Sequence, residues 1–249
     1  MSTVTTAPVL VVEHEADCPP GWLGEWLEAA GAVLDVRRPY TGQALPGDLT
    51  TYAGMLVLGG DMGAHDDATH PWLTEVKQLV AGAAQAGTPV LGVCLGHQLA
   101  AVALGGEAGR NPLGQQVGVL DVGWLPDAAD DELLGALARG GHAPAVQWND
   151  DLVTRLPDGA VPLARTARGE LQAARLAATV WGVQWHPEVG EEIIATWAVH
   201  DRDAAVERGV DLDAHVAAVA AARADLRATW VQLADAFARV CATTRPVTR

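Results

Sequence analysis

The sequence predicts an α/β fold of three layers, in which helices cover both faces of a mostly parallel central sheet. Through residue 104, short apolar runs of strand length alternate with segments whose apolar residues recur at helical spacing, as in a doubly wound parallel sheet. From residue 116 to 184, short β-rich runs separated by turn residues predict added, partly antiparallel strands. The remaining chain is amphipathic and rich in Ala and Arg, which predicts a C-terminal helical extension.

The first half of the chain predicts four buried strands and the helices between them. Each strand is a short apolar run that ends in polar or glycine-rich residues, the pattern of a strand buried on both faces. Gly31 and Gly87 follow two of the helices, where a residue in the left-handed conformation closes a helix. We expect strands over 8–12, 33–36, 54–58 and 90–93, and helices over 22–30, 72–86 and 95–104.

Turn residues divide the second half of the chain into shorter pieces. After a helix over 191–200, apolar residues at helical spacing from 213 to 239 predict one long helix or two shorter ones. An amphipathic stripe must bury its apolar face, so these helices are expected to pack on the α/β body or on a second subunit, as in a homodimer. We expect strands over 117–122, 143–148, 161–167, 171–174 and 180–184, a helical stretch over 130–138, and a frayed tail over 243–249.

These patterns divide the chain into an α/β domain over residues 8–200 and a helical extension over residues 201–249, which we expect to pack on it. The formal net charge of -15 argues against binding of nucleic acid or of an anionic membrane through a basic surface. No apolar stretch reaches the roughly 18 residues of a membrane span, and residues 1–8 lack the pattern of a signal peptide. We therefore expect a cytoplasmic protein. The three cysteines are too few and too widely spaced for a disulfide framework or a metal site, so we expect Cys18, Cys94 and Cys241 to be reduced.

The segment Gly92-Val93-Cys94-Leu95-Gly96 carries the first chemical signal. Its Gly-x-Cys-x-Gly form is typical of a cramped turn from strand to helix with a nucleophile at its tip. A thiol at that tip lies at a helix N-terminus, where unpaired N–H groups and the helix dipole favour the thiolate. The alternative is a small buried structural cysteine. The two glycines and the polar pair His97-Gln98 favour the nucleophile.

The segment Trp185-His186-Pro187-Glu188 carries the second signal. It follows a predicted strand, and in an extended segment His186 and Glu188 point to the same side. A carboxylate beside an imidazole fixes its tautomer and supports its role as a base, which a cysteine nucleophile requires. A lone histidine after a strand is more often structural, but this one accompanies an elbow cysteine.

Three other polar stretches are weighed against structural roles. The glycines of residues 59–63 follow a buried strand and let backbone N–H groups approach a ligand, so this loop is a candidate oxyanion loop; the alternative is a flexible connection. The histidines and aspartates of residues 65–70 have the irregular spacing of a solvated helix cap rather than of a metal site. His14 is interpreted as a solvated loop histidine and excluded from the site.

With these motifs, the sequence resembles the class I (triad) glutamine amidotransferases, especially free-standing members similar to the amidotransferase domain of GMP synthase. The match runs from about Pro8 to Glu188, and Gly-Val-Cys-Leu-Gly-His-Gln precedes Gln-Trp-His-Pro-Glu as in that family. The resemblance implies the flavodoxin-like three-layer fold of the family. It also implies that Cys94 is the nucleophile, His186 the general base and acid, and Glu188 the residue that orients His186.

The resemblance further implies an oxyanion hole and a substrate pocket. Gly60 resembles the family's oxyanion-loop glycine, and Leu95 resembles the residue whose N–H follows the nucleophile. Gln98, one helical turn after Cys94, resembles the glutamine that holds the amino-acid end of the substrate.

The pair Asn149-Asp150 departs from the family pattern, because many relatives have a His-Gly pair in this region. The region usually helps to bind the substrate backbone, so Asn149 and Asp150 are expected to be substrate-binding residues. A carboxylate there would repel the α-carboxylate of glutamine. Free glutamine is therefore expected to be a poor substrate.

The reaction that the resemblance implies is attack of the Cys94 thiolate on the side-chain amide of glutamine or another γ-glutamyl small molecule. It gives a γ-glutamyl thioester and ammonia, and water then hydrolyses the thioester; no metal and no organic cofactor are expected. The helical extension is too short for a synthetase domain, so an ammonia acceptor would be a separate synthetase subunit. The alternatives are a γ-glutamyl peptidase or hydrolase, and a catalytically weak regulatory or interaction subunit.

Overall fold

The structure is a computed structural model that describes residues 7–243, so residues 244–249 of the predicted tail lie outside the described residues. The strands are β1 (Val9–Val12), β2 (Leu34–Arg37), β3 (Gly54–Val57), β4 (Val90–Val93), β5 (Glu107–Arg110), β6 (Gln116–Asp121), β7 (Pro144–Asn149), β8 (Asp151–Arg155), β9 (Val161–Arg165), β10 (Leu171–Ala177) and β11 (Val180–Val183). The helices are α1 (Gly21–Ala29), α2 (Trp72–Ala86), α3 (Leu95–Ala103), α4 (Gly135–Arg139), α5 (Glu191–His200), α6 (Arg202–Arg208) and α7 (Leu212–Thr243).

A seven-stranded sheet with the order β2-β1-β3-β4-β11-β10-β9 forms the centre of the protein. The first five strands of this order are parallel, whereas β10 and β9 extend the sheet in antiparallel pairing. Every residue of β1, β3, β4 and β11 is buried. Such strands are near-continuous apolar runs because helices cover both faces of a parallel sheet.

Alternate side chains of the central strands enter two separate cores. On one face, the side chains of Leu91, Val93 and Trp181 pack in a cluster that includes α1 and α7. On the other face, Met55 and Val90 pack in a cluster that includes α2 and α3. The three-layer α/β architecture therefore follows from the two-residue period of the strands.

Two antiparallel strand pairs lie outside the main sheet, β5 with β8 and β6 with β7. The sequence predicted neither β5 nor β8. Strand β5 is partly exposed and lacks an apolar run, and β8 begins directly after the polar pair Asn149-Asp150. The expected helix over 130–138 is also wrong in extent. Asp131 is extended, and its carboxylate accepts hydrogen bonds from the N–H groups of Leu133 and Leu134, so only α4 forms after it.

The helical extension ends in one continuous helix, α7, which settles the choice between one long helix and two. Its apolar stripe packs on the α/β body in the same core as α1. Trp230 is fully buried there, and its Nε1 donates a hydrogen bond to the carbonyl oxygen of Pro144 at 2.9 Å. Within residues 7–243, no helix combines the length and apolar character needed to cross a membrane.

Candidate active site

Cys94 lies at the abrupt turn between β4 and α3. Its φ of 51° and ψ of -107° make it the only non-glycine residue with positive φ among residues 7–243. Such a conformation is strained and persists only where the surrounding structure enforces it. A Cβ atom on Gly92 would lie 2.4 Å from the carbonyl oxygen of Gly96, and one on Gly96 would lie 2.1 Å from that of Val57. Both glycines are therefore required by close backbone contacts around the turn.

His186 and Glu188 lie in the loop that follows β11, the strand beside β4. His186 Nδ1 is 2.7 Å from the Glu188 carboxylate, and both side chains are buried. The His186 backbone N–H donates to the carbonyl oxygen of Val146, and the Trp197 ring packs edge-on against the imidazole with centroids 4.8 Å apart. The backbone of His186 is thus held by β7, and its ring is held by Trp197 of α5 and by Glu188.

Burial alone would lower the pKa of His186, but the Glu188 carboxylate and the side chain of Cys94 raise that pKa to about 10. His186 Nε2 is buried and has no hydrogen-bond partner among the described residues. The arrangement therefore favours an imidazolium at His186 beside the sulfur of Cys94. Its Nε2 proton is available for transfer.

The glycine loop of residues 59–63 packs directly against His186 and Cys94. A Cβ on Gly59 would lie 3.1 Å from the Cε1 atom of His186 and 3.6 Å from the Cβ of Cys94. A Cβ on Gly60 would lie 3.1 Å from the Cδ2 atom of Leu95. The sequence placed Gly59 in the candidate oxyanion loop, but only Gly60 and Leu95 were predicted as individual site residues.

Two buried glutamines lie next to the thiol. Gln184 Nε2 donates to Cys94 Sγ at 3.5 Å, and Gln98 Nε2 donates to Gln184 Oε1 at 3.5 Å and to the carbonyl oxygen of Asp151 at 3.1 Å. Gln98 was a predicted site residue, but Gln184 was not. Its signal was the spacing of two residues before His186, which places both side chains on one side of an extended segment.

Asn149 and Asp150 lie where β7 turns into β8. Asn149 is buried, and its Nδ2 donates to the carbonyl oxygen of Asp151 at 3.0 Å. The Asp150 carboxylate is partly exposed and forms ion pairs with Arg110 at 3.0 Å and Arg208 at 3.6 Å. Its charge is therefore compensated by two cations that the sequence did not associate with it.

The interpretation of His14 as a solvated loop residue is wrong. His14 is fully buried, and Trp72 Nε1 donates a hydrogen bond to its Nδ1 at 3.1 Å. Burial, aided by the nearby His70, lowers the pKa of His14 to about 3. The polar neighbours of His14 in the sequence suggested solvent, but the loop after β1 folds under α2.

The acidic residues of the 65–70 stretch bind groups of the protein itself. Asp66 Oδ2 accepts a hydrogen bond from the N–H of Gly63 at 2.7 Å, and Asp67 forms an ion pair with Lys77 at 2.7 Å. In the part of the chain that the structure describes, no group of three or more His, Cys, Asp or Glu side chains is arranged to hold a metal ion.

Comparison with known proteins gives one family. The sequence model described as glutamine amidotransferase class-I matches residues 27–194. The chain is 36% identical over 167 residues to a glutamine-hydrolyzing GMP synthase of Aeropyrum pernix, which covers 63% of this chain and 28% of that protein. It is 40% identical over 111 residues to a subunit of the glutamine-hydrolyzing GMP synthase of Methanococcoides burtonii, which covers 42% and 56%.

A relative with a different name is a gamma-glutamyl-L-1-hydroxyisopropylamide hydrolase of a Pseudomonas species. It is 34% identical over 169 residues, which cover 62% of this chain and 55% of that protein. The chain thus spans between 28% and 56% of the length of these three curated relatives.

Solved structures share the fold. A glutamine amidotransferase from Thermotoga maritima matches with a TM-score of 0.81 at 22% identity, over 94% of this chain and 99% of that chain. A glutamine amido transferase from Methylobacillus flagellatus matches with a TM-score of 0.79 at 25% identity, over 98% and 97%. These similarities confirm the predicted α/β fold with its mostly parallel central sheet.

Proposed function

This chain belongs to the glutamine amidotransferase class-I family, and on that premise we propose that it hydrolyses the side-chain amide of glutamine or of a related γ-glutamyl compound. The observation that carries this proposal is the strained turn at Cys94 next to an imidazole, His186, that lies 2.7 Å from the Glu188 carboxylate. A thiol nucleophile, a base and a residue that orients the base are the parts that thioester chemistry requires.

In the acylation step, the Cys94 sulfur attacks the amide carbon and a carbon–sulfur bond forms. His186 gives its proton to the leaving nitrogen, the carbon–nitrogen bond breaks, and ammonia departs. The raised pKa of His186 supports this role, because the imidazole already holds the proton that the leaving group needs. The product is a γ-glutamyl thioester on Cys94.

In the deacylation step, the now neutral His186 takes a proton from water as the water oxygen attacks the thioester carbon. The carbon–sulfur bond breaks, the γ-carboxylic acid leaves, and the thiolate and imidazolium are restored. Glu188 holds the imidazole in the tautomer that presents Nε2 in both steps, because it accepts the hydrogen bond from Nδ1. Neither step requires a metal or an organic cofactor.

We assign the oxyanion hole to the backbone N–H groups of Leu95 and Gly60. Leu95 is the first residue of α3, and the first N–H groups of a helix have no intrahelical partner. A Cβ on Gly60 would lie 3.1 Å from the Cδ2 atom of Leu95, so the two residues are neighbours, which supports a common position for the two donors. A pair of fixed N–H groups stabilises the oxyanion as it develops.

The amino-acid end of the substrate is assigned to Gln98, Asn149 and Asp150. Gln98 Nε2 is committed to Gln184 and to the carbonyl oxygen of Asp151, so we assign its Oε1 as the acceptor for the substrate's α-ammonium group. Asp150 adds a carboxylate whose two arginine partners moderate its repulsion of an α-carboxylate. Preference among γ-glutamyl compounds is therefore set by the balance of these charges.

A second candidate activity is hydrolysis of γ-glutamyl amides other than glutamine. It is favoured by the similarity to the Pseudomonas hydrolase named for a γ-glutamyl amide and by the carboxylate of Asp150. The relative from Methanococcoides burtonii, which is named as one subunit of a GMP synthase, supports a third assignment, in which this chain supplies ammonia to a synthetase on another chain.

The test is an assay in which the purified protein is given glutamine or a γ-glutamyl alkylamide. Release of ammonia is measured for glutamine and release of the alkylamine for the alkylamide. Cys94→Ala and Cys94→Ser should abolish turnover of both with the fold intact, because the sulfur forms the covalent intermediate. His186→Ala should cost nearly as much, and Glu188→Gln less, because Glu188 only orients the base. Wild-type turnover in the Cys94 variants would refute the assignment, and preference for the alkylamide would favour the second candidate.

Labelling with iodoacetamide at about pH 8 gives an independent control. Cys94 should react first, because burial raises the pKa of the Cys18 thiol well above its usual range and that of Cys241 to about 12. Cys18 and Cys241 are thus matched internal controls for a buried thiol whose pKa is raised. Labelling of either one ahead of Cys94 would contradict the proposal.

A further inference from the structure

The loop that follows β1 contacts the oxyanion loop of residues 59–63 directly. Glu15 Oε1 accepts a hydrogen bond from the backbone N–H of Asp61 at 2.8 Å. The same oxygen accepts the S–H of Cys18 at 3.2 Å. On the neighbouring side, a Cβ on Gly60 would lie 3.1 Å from the Cβ of His14. The loop after β1 therefore binds the peptide that follows Gly60. It also leaves no room for a side chain at Gly60.

The contact with Asp61 fixes the orientation of one peptide plane. In a trans peptide the C=O and N–H groups point in opposite directions, so an Asp61 N–H directed at Glu15 turns the carbonyl of Gly60 away from it. Rotation of this peptide would bring the Gly60 carbonyl oxygen against the Glu15 carboxylate, where two acceptors repel. Gly60 on the N-terminal side of this peptide eases such rotation because it has no Cβ, so an outside contact helps to fix the orientation.

We propose that Glu15 is a positioning residue that fixes the Gly60–Asp61 peptide and so holds the backbone of Gly60, whose own N–H is the assigned oxyanion donor, an inference that rests on the proposed function. The contact is a hydrogen bond from a backbone N–H to a carboxylate, the stronger, charge-assisted kind. The opposite end of the loop is held separately, because Asp66 accepts the N–H of Gly63. Glu15 therefore acts on the end of the loop that carries Gly60.

The expected effect is selective for chemistry that develops an oxyanion. Loss of a whole oxyanion-hole donor costs about 100- to 1,000-fold in kcat, and loss of its support should cost less. We expect Glu15→Ala to lower kcat about 10- to 100-fold with KM changed less than about threefold. Alkylation of Cys94 by iodoacetamide develops no oxyanion, so its rate should stay within about twofold of the wild-type rate.

The conservative variant separates hydrogen bonding from charge. Glu15→Gln keeps an acceptor oxygen for the Asp61 N–H and should recover most of the lost kcat. Asp17→Ala is the matched control, because it removes a carboxylate from the same loop whose side chain pairs with His200 rather than with the oxyanion loop. It should leave kcat unchanged.

Amide hydrogen exchange measured by NMR tests the positioning without any turnover. The Asp61 amide should lose protection in Glu15→Ala and retain it in Glu15→Gln. Wild-type kcat in Glu15→Ala, equal losses of kcat and alkylation rate, failure of Glu15→Gln to recover kcat, or unchanged exchange at Asp61 would each overturn the inference. An inactive wild-type protein with normal Asp61 protection would instead refute the proposed function.

Discussion

Gln184 donates a hydrogen bond from its side-chain amide to the sulfur of Cys94 across 3.5 Å. Its own Oε1 accepts from Gln98, which in turn donates to the carbonyl oxygen of Asp151 at the start of β8. Side-chain amides of Gln98 and Gln184 thus connect the start of β8, which directly follows Asp150, with the thiol. The Gln184 donor stabilises negative charge on the sulfur.

We predict that Gln184→Leu lowers kcat/KM about tenfold, because a hydrogen bond to a charged group contributes about 1.5 kcal/mol or more. Gln184→Glu should cost more, since it replaces a donor to the sulfur by a carboxylate that repels the thiolate. The measurement is kcat/KM for glutamine or the γ-glutamyl alkylamide, whichever the wild type hydrolyses faster, together with the rate of Cys94 alkylation by iodoacetamide. Both rates should fall, unlike the selective loss expected for Glu15→Ala.

The matched control is Gln172→Leu. Gln172 is another fully buried glutamine, but it bonds to Gln147 and Gln116 rather than to the thiol. Its replacement should lower stability and leave kcat per folded molecule close to that of the wild type. Equal kinetic losses in the two variants would show that Gln184 acts only through packing.

The sequence predicted the elbow at Cys94 and the contact of His186 with Glu188 because their requirements are local. The turn at Cys94 needs glycines two residues away on each side, and the contact of His186 with Glu188 spans two residues. Periodicity likewise predicted α2 with its observed bounds, because its apolar stripe and closing glycine lie within one segment.

Contacts between distant segments could not be predicted in this way. The bond of Glu15 to Asp61 spans 46 positions and that of Gln184 to Cys94 spans 90, so neither leaves a pattern within one element. The prediction that His14 is solvated was wrong for the same reason, because the burial of His14 depends on the distant residue Trp72. The arginine partners of Asp150 come from β5 and α6, and β5 has no apolar run that would predict it.

Two buried neutral histidines predict acid sensitivity. Burial lowers the pKa of His97 and of His14 to about 3, from the ordinary value of 6.5. Between these values the unfolded chain binds the protons and the folded chain does not, so the free energy of unfolding falls as pH drops below about 6.5. Each histidine contributes a slope of up to about 1.4 kcal/mol per pH unit. Urea unfolding at several pH values between about 7.5 and 4 measures this pH dependence of the free energy of unfolding.

His97→Leu tests the contribution of one ring, because both nitrogens of His97 lack partners within residues 7–243. The variant should unfold with a shallower pH dependence, by up to one proton. Gln232→Leu is the control, because it replaces an exposed side chain that does not titrate, and it should leave the slope as it is. An unchanged pH dependence of the unfolding free energy in His97→Leu would mean that the His97 ring stays protonated in the folded protein or is hydrated there.

The burial of α7 predicts that the helical extension is part of one folding unit with the α/β domain, as we propose. Trp230 is fully buried, stacks on Trp185 with centroids 5.0 Å apart, and bonds to Pro144. Trp230→Ala should lower the free energy of unfolding by about 3–5 kcal/mol. Chemical denaturation monitored by circular dichroism should still show a single transition.

Val206→Ala is the control for this prediction, because Val206 of α6 is 73% exposed and its loss removes little buried surface. Its unfolding free energy should change by less than about 0.5 kcal/mol. A chain truncated after α5 that remained as stable as the full-length protein would show instead that the extension is dispensable.

The charges around Asp150 predict opposite kinetic effects of two substitutions. Arg208→Gln removes one of the cations that compensate Asp150, so the carboxylate should repel the α-carboxylate of glutamine more strongly and raise KM. Asp150→Asn frees Arg110 and Arg208 to attract that α-carboxylate and should lower KM. Because these pairs are partly exposed and screened, each change in KM should be about two- to tenfold.

Three further measurements identify charge as the cause of these KM effects. Both effects should shrink in about 0.5 M salt, where screening is strong, and both should vanish for a glutamine whose α-carboxylate is esterified. The double variant should return KM toward the wild-type value, because Arg208 can compensate only a carboxylate that is present. If both single variants bind glutamine like the wild type, Asp150 does not face the substrate, and the departure from the His-Gly pattern is a neutral surface change. If both single variants instead raise KM, Asp150 and Arg208 hold the turn between β7 and β8 in place, and charge at the substrate's amino-acid end does not set the preference.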